Sequence, residues 1–307
     1  MKYRVAIAGV SLALSACGGG DGGGSTPPVS SPAPSPTPTP TPTYVKFADL
    51  AEDTVFDTSC RGFETLADGS NRIYDDPVFG EGLTISFDAS SSSYTVEGEE
   101  FSYTFSPSSK QNSAGADIYR ISNGSGVITD LVFYPLTAEY SRLVSLHRIG
   151  SGLPTALISC AVGIRTEAGD LPGSNASYDP LSVFGSAMLG GDQYNLDDTS
   201  GGIAFEAGTD SVTFALQLAG NLEGGGTITD TVYELGSLNS LAPVPAAGGT
   251  FAGATAKSDA SSVSGDFGGA FFGPAGVEVG FVFNYSGTLD DGRAFSGVGT
   301  YLGRKKD

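Results

Sequence analysis

The sequence has one histidine, His147, and few residue sets whose types and spacing could support catalysis. A hydrolytic triad requires a histidine together with a serine and an orienting carboxylate, and the chain has no Gly-x-Ser-x-Gly turn. A lone histidine can also bind haem iron, with a tyrosine such as Tyr140 as the second ligand. The alternative interpretation is a polar strand residue beside Arg142 and Arg148. The sequence therefore predicts no catalytic centre, and we expect the chain not to be an enzyme.

Acidic residues form short groups that could hold a cation or work in pairs. Three aspartates lie at 192–198 and two at 75–76, and carboxylate oxygens are preferred Ca²⁺ ligands. Their spacing does not match an EF-hand loop, and turn formation is the alternative account. The glutamates at 97–100 could form a glycosidase-like pair or a charged hairpin surface. We expect no bound metal and no cofactor.

Two of the three cysteines, Cys60 and Cys160, form an even pair 100 residues apart. Disulfides persist in exported proteins, and closing such a loop contributes roughly 4–5 kcal/mol in the chain-entropy model. Neither cysteine has the spacing of a zinc site. The sequence predicts a disulfide between Cys60 and Cys160, with two buried free thiols as the alternative.

The first 17 residues have the pattern of an export signal. Lys2 and Arg4 precede a 12-residue apolar stretch at 5–16, which is too short to span a membrane but typical of a secretory signal. The residues Leu-Ser-Ala-Cys at 14–17 resemble the lipobox of bacterial lipoproteins. This resemblance implies that Cys17 is lipidated, for example with palmitate, and becomes the first residue of the mature chain. An ordinary signal peptide with an incidental cysteine is the alternative.

Residues 18–43 are rich in glycine, proline and threonine and predict a disordered tether. Five prolines between 34 and 42 alternate with serine or threonine, which favours an extended polyproline II path. At about 3.1 Å per residue, this segment reaches at most ~80 Å. Such a tether would hold a folded body clear of the membrane surface.

The overall charge narrows the classes of partner. The formal net charge is −19, and such a surface repels nucleic acid and anionic lipid headgroups. Glycine, threonine and aromatic residues in short alternation are typical of an all-β protein. We therefore expect an all-β fold that does not bind nucleic acid.

Residues 44–170 are predicted to form a β-rich domain. Several segments alternate apolar and polar residues with the period of a strand. The predicted strands are 83–87, 94–96, 101–105, 127–135, 140–149 and 156–165. In the strand at 140–149, Leu143, Ser145 and His147 would share one face.

Residues 171–307 show a more regular strand pattern. The predicted strands are 182–189, 202–206, 211–218, 227–235, 250–257, 262–269, 277–285 and 294–302. Short strands separated by glycine or aspartate turns, with glycines where a wall must bend, indicate a closed barrel or a tight sandwich.

A dense motif of glycine, phenylalanine, proline and glutamate spans residues 264–283. Its positions are Gly265, Phe267, Gly269, Phe271, Gly273, Pro274, Glu278 and Gly280. The motif resembles the carboxy-terminal barrel of surface lipoproteins of the transferrin-binding protein B type. Weaker likenesses to that family occur at 171–178 and 295–306.

The resemblance implies a β handle domain at 44–170, followed by an eight-stranded antiparallel β-barrel at 171–307. It also implies lipid anchorage at the outer membrane and a ligand such as a host iron or haem protein. We expect a structural role for the motif, in which Phe267, Phe271, Phe281 and Phe283 fill the barrel or its junction with the handle. Glu278 is either a buried carboxylate satisfied by backbone donors or an exposed one.

The predicted function is ligand capture by a surface-exposed lipoprotein of the outer membrane. The ligand would be a host or environmental protein, or haem or metal with its carrier, and an outer-membrane transporter would receive the nutrient. The alternative is a structural or adhesion lipoprotein of the envelope with no uptake role. The sequence indicates no ligand-binding residues.

Overall fold

A computed structural model describes residues 42–65, 71–76, 78–99, 101–124, 126–150, 153–224, 227–258 and 260–307. These residues lie in one compact unit, Thr41–Asp307. The leader, Cys17 and residues 18–41 of the predicted tether lie outside the described residues. The fold is all-β, as the composition predicts, and its helical residues form short 3₁₀ turns. These turns are Phe47–Asp49, Pro107–Ser109, Ala168–Asp170, Ala247–Gly249 and Pro274–Gly276.

The first part of the unit, which we call the handle, is built from strands β1 to β11. These are β1 (Thr54–Phe56), β2 (Thr58–Thr65), β3 (Asn71–Asp76), β4 (Thr84–Asp88), β5 (Ser93–Glu97), β6 (Ser102–Phe105), β7 (Lys110–Gln111), β8 (Asp117–Ser122), β9 (Ile128–Tyr134), β10 (Ser141–Gly150) and β11 (Leu153–Gly163).

The handle strands form two sheets that share a core. A four-stranded sheet has the order β1-β4-β5-β6, and a seven-stranded sheet has the order β3-β2-β11-β10-β9-β8-β7. Val96 and Phe105 from the first sheet pack with Leu146 and Ile158 from the second. A disulfide joins Cys60 on β2 to Cys160 on β11, which are direct partners in the ladder.

The second part, which we call the barrel, is built from strands β12 to β21. These are β12 (Ala176–Leu189), β13 (Asp192–Asn195), β14 (Ser200–Glu206), β15 (Ser211–Gly224), β16 (Thr227–Ser240), β17 (Val244–Pro245), β18 (Thr250–Lys257), β19 (Ala260–Phe272), β20 (Glu278–Thr288) and β21 (Ala294–Lys305).

The barrel closes because β12 pairs with β21 from Tyr178 opposite Lys305 to Leu189 opposite Phe295. The ring runs β12-β14-β15-β16-β18-β19-β20-β21 and returns to β12. The short strand β13 pairs with both β12 and β15, beyond the point where β14 leaves β12. The predicted all-β fold, with a handle and a ring of eight antiparallel strands, is confirmed.

The barrel interior is packed by placing small residues opposite large ones. Phe283 on β20 lies opposite Gly299 on β21, and a Cβ atom at Gly299 would come within 2.4 Å of the Phe283 ring. Because glycine has no side chain, the phenyl ring can occupy the space in front of it. This arrangement explains how so many aromatic rings fit inside a narrow barrel.

Candidate functional site

The sequence motif at 264–283 lies where the handle meets the barrel. We call this contact the seam. Its handle residues are Ser59, Arg61, Thr137, Tyr140, Ser141 and Ala161, and its barrel residues are Asp266, Gly268, Gly273, Glu278, Gly280 and Arg304. The seam is the candidate site because it brings the motif together with two buried charged side chains, Arg61 and Glu278.

Glu278 is a fully buried carboxylate at the start of β20. It accepts hydrogen bonds from the backbone N–H groups of Glu139 at 2.7 Å and Tyr140 at 3.0 Å, and from the Ser141 hydroxyl at 2.7 Å. Arg304 on β21 donates to it at 2.9 Å. A buried charge is tolerated when it is paired and hydrogen-bonded in this way. Of the two alternatives left open by the sequence, the structure has the buried carboxylate with backbone donors.

The Gly273–Pro274 turn of the motif holds the segment that leads from handle to barrel. Gly273 has a φ of 72°, and a Cβ atom there would lie 2.5 Å from the Tyr140 ring. Its N–H donates to the Ile164 carbonyl at 2.9 Å, and its own carbonyl accepts from the Thr166 hydroxyl at 2.7 Å. Only glycine combines this backbone conformation with so close a contact.

A second set of seam contacts joins β2 to β19. The Ser59 hydroxyl donates to the Gly268 carbonyl at 3.0 Å, and the Arg61 guanidinium is paired with Asp266. Arg61 is only 1% exposed. Its burial lowers the pKa to about 10, and the nearby charge of Asp76 acts in the opposite direction. Gly280 completes the seam by lying against Ala161 of β11.

Four phenylalanines of the motif point into the barrel. Phe267, Phe271, Phe281 and Phe283 are all fully buried, and strand alternation places Gly265 and Gly269 on the same inner face. Ring centroids lie 6.2 Å apart between Phe267 and Phe281 and 6.0 Å apart between Phe281 and Phe283. An eight-stranded barrel is just wide enough for its side chains to fill. These rings therefore occupy the interior of the barrel.

A small cavity lies on the seam between β2 and β11 of the handle and β12 and β21 of the barrel. Its volume is about 120 Å³, and its lining includes Arg61, Ser159, Phe184 and Asn195. A space of this size holds a few water molecules or a very small organic group. It is too small for haem.

His147 lies on the face of β10 that is turned toward the barrel, opposite Asp130 on β9 and Leu157 on β11. Burial lowers its pKa, and the nearby charge of Asp130 acts in the opposite direction. Tyr140 lies seven residues before His147, about 23 Å in extended chain, and contacts Gly273 instead. The structure does not bring His147 and Tyr140 together as a haem pair.

The side chains around His147 do not form a triad either. Asp130 is held by two hydrogen bonds from Arg120, at 2.7 and 2.6 Å. The Ser145 hydroxyl bonds to Tyr134 at 2.9 Å and to Ser159 at 3.1 Å. Both possible partners of the histidine are therefore engaged elsewhere.

Two of the aspartates singled out in the sequence have local hydrogen-bond partners. Asp197 accepts from the Asn195 amide at 3.1 Å, and Asp198 accepts from the Asn221 amide at 2.8 Å. Glu97 lies exposed on β5, and Glu100 and the side chain of Asp75 lie outside the described residues. Among the residues that the structure describes, no three histidine, cysteine, aspartate or glutamate side chains lie together as metal ligands.

Sequence reasoning did not identify Arg61, Ser141 or Asp266 as parts of this site. A weak signal was present at Arg61, because it is the single charged residue in the segment Thr-Ser-Cys-Arg-Gly at 58–62. A charge inside an otherwise uncharged strand indicates a specific buried partner.

No protein family matches the sequence, and no curated protein matches it. Solved structures are similar at low identity. A transferrin-binding protein B from Haemophilus parasuis matches with 12% identity and a TM-score of 0.49, covering 81% of this chain and 45% of that one. The isotype 1 protein from serogroup B Neisseria meningitidis matches with 10% identity and a TM-score of 0.48, covering 81% and 44%. An intact protein of this type with N and C lobes matches with 14% identity and a TM-score of 0.46, covering 81% and 46%.

The chain thus spans about half the length of these transferrin-binding proteins. In the part of the chain that the structure describes, no helix has the length and apolar character needed to cross a bilayer.

Proposed function

We propose that this chain is a lipid-anchored surface lipoprotein of the outer membrane, of the transferrin-binding protein B type, that captures a ligand without catalysis. The ligand is a protein, or haem or metal presented by a carrier protein. The captured nutrient passes to an outer-membrane transporter. Transferrin is one candidate partner, since the proteins that the chain is similar to are named for it.

The observation that carries the proposal is where the motif residues pack. Its phenylalanines fill the barrel, and its glutamate and glycines fix the barrel to the handle. A filled barrel leaves the outer surface as the place where a ligand binds, and a fixed handle adds a second surface at a constant angle. A protein-sized partner suits such a pair of surfaces, because protein interfaces bury about 800 Å² on each side.

The sequence before the compact unit supports the proposed location. The lipobox-like residues at 14–17 supply a lipidated Cys17, and residues 18–43 supply a tether of up to ~80 Å. A single tethered body of two β parts can then reach a partner beyond the membrane surface. The net charge of −19 favours a basic face on that partner.

The test is growth of a deletion strain under iron limitation, with iron supplied as a free salt, as haem or bound to transferrin. We expect the deletion to grow normally on the free salt and to lose growth on at least one of the other two sources. Restoring the intact gene should restore growth, whereas a Cys17→Ala gene should not. Binding of the same source to the purified chain should accompany the growth effect.

Normal growth on all three sources together with altered attachment of the cells would contradict nutrient capture. That result would support the alternative role in adhesion or envelope structure.

A further inference from the structure

A pocket with aromatic walls lies in the handle, between its two sheets and beside the 3₁₀ turn Phe47–Asp49. Its volume is about 340 Å³. Four rings line it: Phe47, Phe87, Tyr94 and Phe133. The centroids of Tyr94 and Phe133 are 4.6 Å apart, those of Phe87 and Tyr94 5.2 Å, and those of Phe47 and Phe133 5.8 Å. The pocket is thus preformed by rings that already pack on one another.

Two charged side chains, Arg142 and Asp117, line this pocket, and Arg142 is only 5% exposed. Its guanidinium donates to the carbonyls of Ala138 at 2.5 Å and Ser141 at 2.6 Å. The centre of the guanidinium lies 4.9 Å from the Phe47 ring centroid. These contacts orient the group without neutralising its charge.

No carboxylate forms an ion pair with Arg142 in the described part of the chain. The two carboxylates whose charge acts on Arg142, those of Glu278 and Asp117, are already engaged. Glu278 receives its four donors at the seam, and Asp117, which also lines the pocket, is paired with Lys110 at 2.7 Å. Burial lowers the pKa of Arg142, yet an arginine stays protonated in proteins. A buried positive charge without a bonded anion is costly to a fold.

We infer that this pocket binds a small organic acid with a flat aromatic body, whose carboxylate pairs with Arg142. Aromatic rings provide stacking surfaces for such a body, and a guanidinium binds a carboxylate through two parallel hydrogen bonds. Pockets for small molecules typically begin near 300 Å³ and combine apolar walls with a few placed polar groups. The inference concerns the handle alone and does not depend on the capture of a protein by the surface of the unit.

The test is calorimetric titration of the purified full chain with benzoate and indole-3-acetate. We expect saturable binding of one molecule per chain. The neutral amides of the same acids, benzamide and indole-3-acetamide, should bind about tenfold or more weakly, since hydrogen bonds to a charged partner are the stronger ones. Equal binding of an acid and its amide, or no saturable binding up to ~10 mM, would overturn the inference.

Two variants locate the bound molecule. Arg142→Met keeps most of the side-chain volume and should lower the affinity for the acids to that for the amides. Leu136→Glu places a negative charge on a pocket residue that is 41% exposed and therefore easily substituted. It should weaken acid binding about tenfold by repulsion, whereas Leu136→Gln should leave it near the original value.

If Arg142→Met does not fold, the comparison of Leu136→Glu with Leu136→Gln still tests whether the acid binds in this pocket. Acid binding that is the same in Leu136→Glu and Leu136→Gln would place the bound molecule outside this pocket and overturn the inference. Growth on the three iron sources tests the proposed function separately, so failure of one proposal leaves the other standing.

Discussion

At the scale of single residues, Glu278 holds two parts of the molecule together. One carboxylate receives donors from the handle backbone, the Ser141 hydroxyl and Arg304 of the barrel. Because water does not reach the carboxylate, its stability in the fold depends on these protein donors. Glu278 therefore links the handle to the barrel, and its replacement should weaken the contacts of the whole seam.

Glu278→Gln should destabilise the fold by about 3 kcal/mol, because the amide removes the charge and turns a donor toward other donors. Urea unfolding followed by circular dichroism measures the change. Glu97→Gln is the matched control, since Glu97 lies exposed on β5. If the two variants unfold at the same urea concentration, Glu278 does not stabilise the seam.

His147 should make the free energy of unfolding depend on pH near the pKa of histidine. It is the single histidine of the sequence, so the effect can be assigned to it. Burial lowers its pKa in the folded state below the ordinary 6.5. The unfolded chain then binds the proton more readily, so stability is full above about pH 6.5 and falls as the pH is lowered below it. Unfolding measured between about pH 7 and pH 5 should show this fall in the original chain.

The variant His147→Gln should flatten that fall, because glutamine does not titrate. Parallel pH profiles of the two proteins would contradict a buried, neutral histidine.

The sequence could indicate Glu278 but not its partners. The spacing of glycines and phenylalanines marked the motif, and the lone glutamate within it left a buried and an exposed carboxylate as alternatives. Its donors at 139–141 are 137–139 residues away in the chain, and two of them are backbone groups that carry no sequence signal. Arg142 is the same case, since nothing in its local sequence tells a buried guanidinium from an exposed one.

At the scale of strands, the pattern predicted half-buried strands and also strands buried on both faces. The predicted strands at 83–87 and 294–302 correspond to β4 and β21, and the one at 140–149 corresponds to β10, whose residues 141–146 are all buried. The pattern did not predict β2, which packs on the handle core through Cys60 and on the barrel through Ser59 and Arg61. The polar and charged residues of β2 give it neither the alternation of a half-buried strand nor the apolar run of an enclosed one.

The length of a strand also differs from the predicted length where a bulge interrupts the pattern. β12 begins at Ala176, six residues before the predicted strand, because the ladder to β21 continues past a bulge between Pro180 and Ser182. Proline is tolerated at such a bulge, although its presence argues against a strand in the sequence.

The disulfide is the feature of the strands that is easiest to test. It closes a loop of 100 residues across β2 and β11. Replacing both Cys60 and Cys160 with alanine should lower the free energy of unfolding by about 4 kcal/mol, chiefly because the unfolded chain gains freedom. Urea unfolding with and without a reductant measures this change.

Reductant should shift the unfolding of the original chain and leave the double variant unchanged. If the original chain and the double variant unfold alike under oxidising conditions, the bond contributes nothing to the fold.

At the scale of the whole molecule, a predicted anchor and tether precede one compact unit made of two β parts. The boundary predicted at 170–171 falls at the end of the 3₁₀ turn Ala168–Asp170, between β11 and β12, and remains a prediction. The start of the compact unit could be predicted because composition changes sharply after the proline-rich segment. The seam between the handle and the barrel could not be predicted, since it depends on contacts between distant residues.

Cys17→Ala should release the protein from the membrane, because an acyl chain cannot be attached to alanine. Cell fractionation and labelling with palmitate measure the change. Cys160→Ala is the matched control, since it removes a cysteine but keeps Cys17, and it should stay in the membrane fraction. Retention of Cys17→Ala with the membranes would contradict the lipid anchor.

Closure of the ring also sets the order of events during synthesis and folding. Tyr178 on β12 must wait for Lys305 on β21 before it gains its ladder partner. Until then a nascent or truncated polypeptide presents two bare sheet edges, which are sites of aggregation. Contacts so distant in sequence also form slowly. The polypeptide must therefore stay soluble until β21 has been synthesised and can pair with β12.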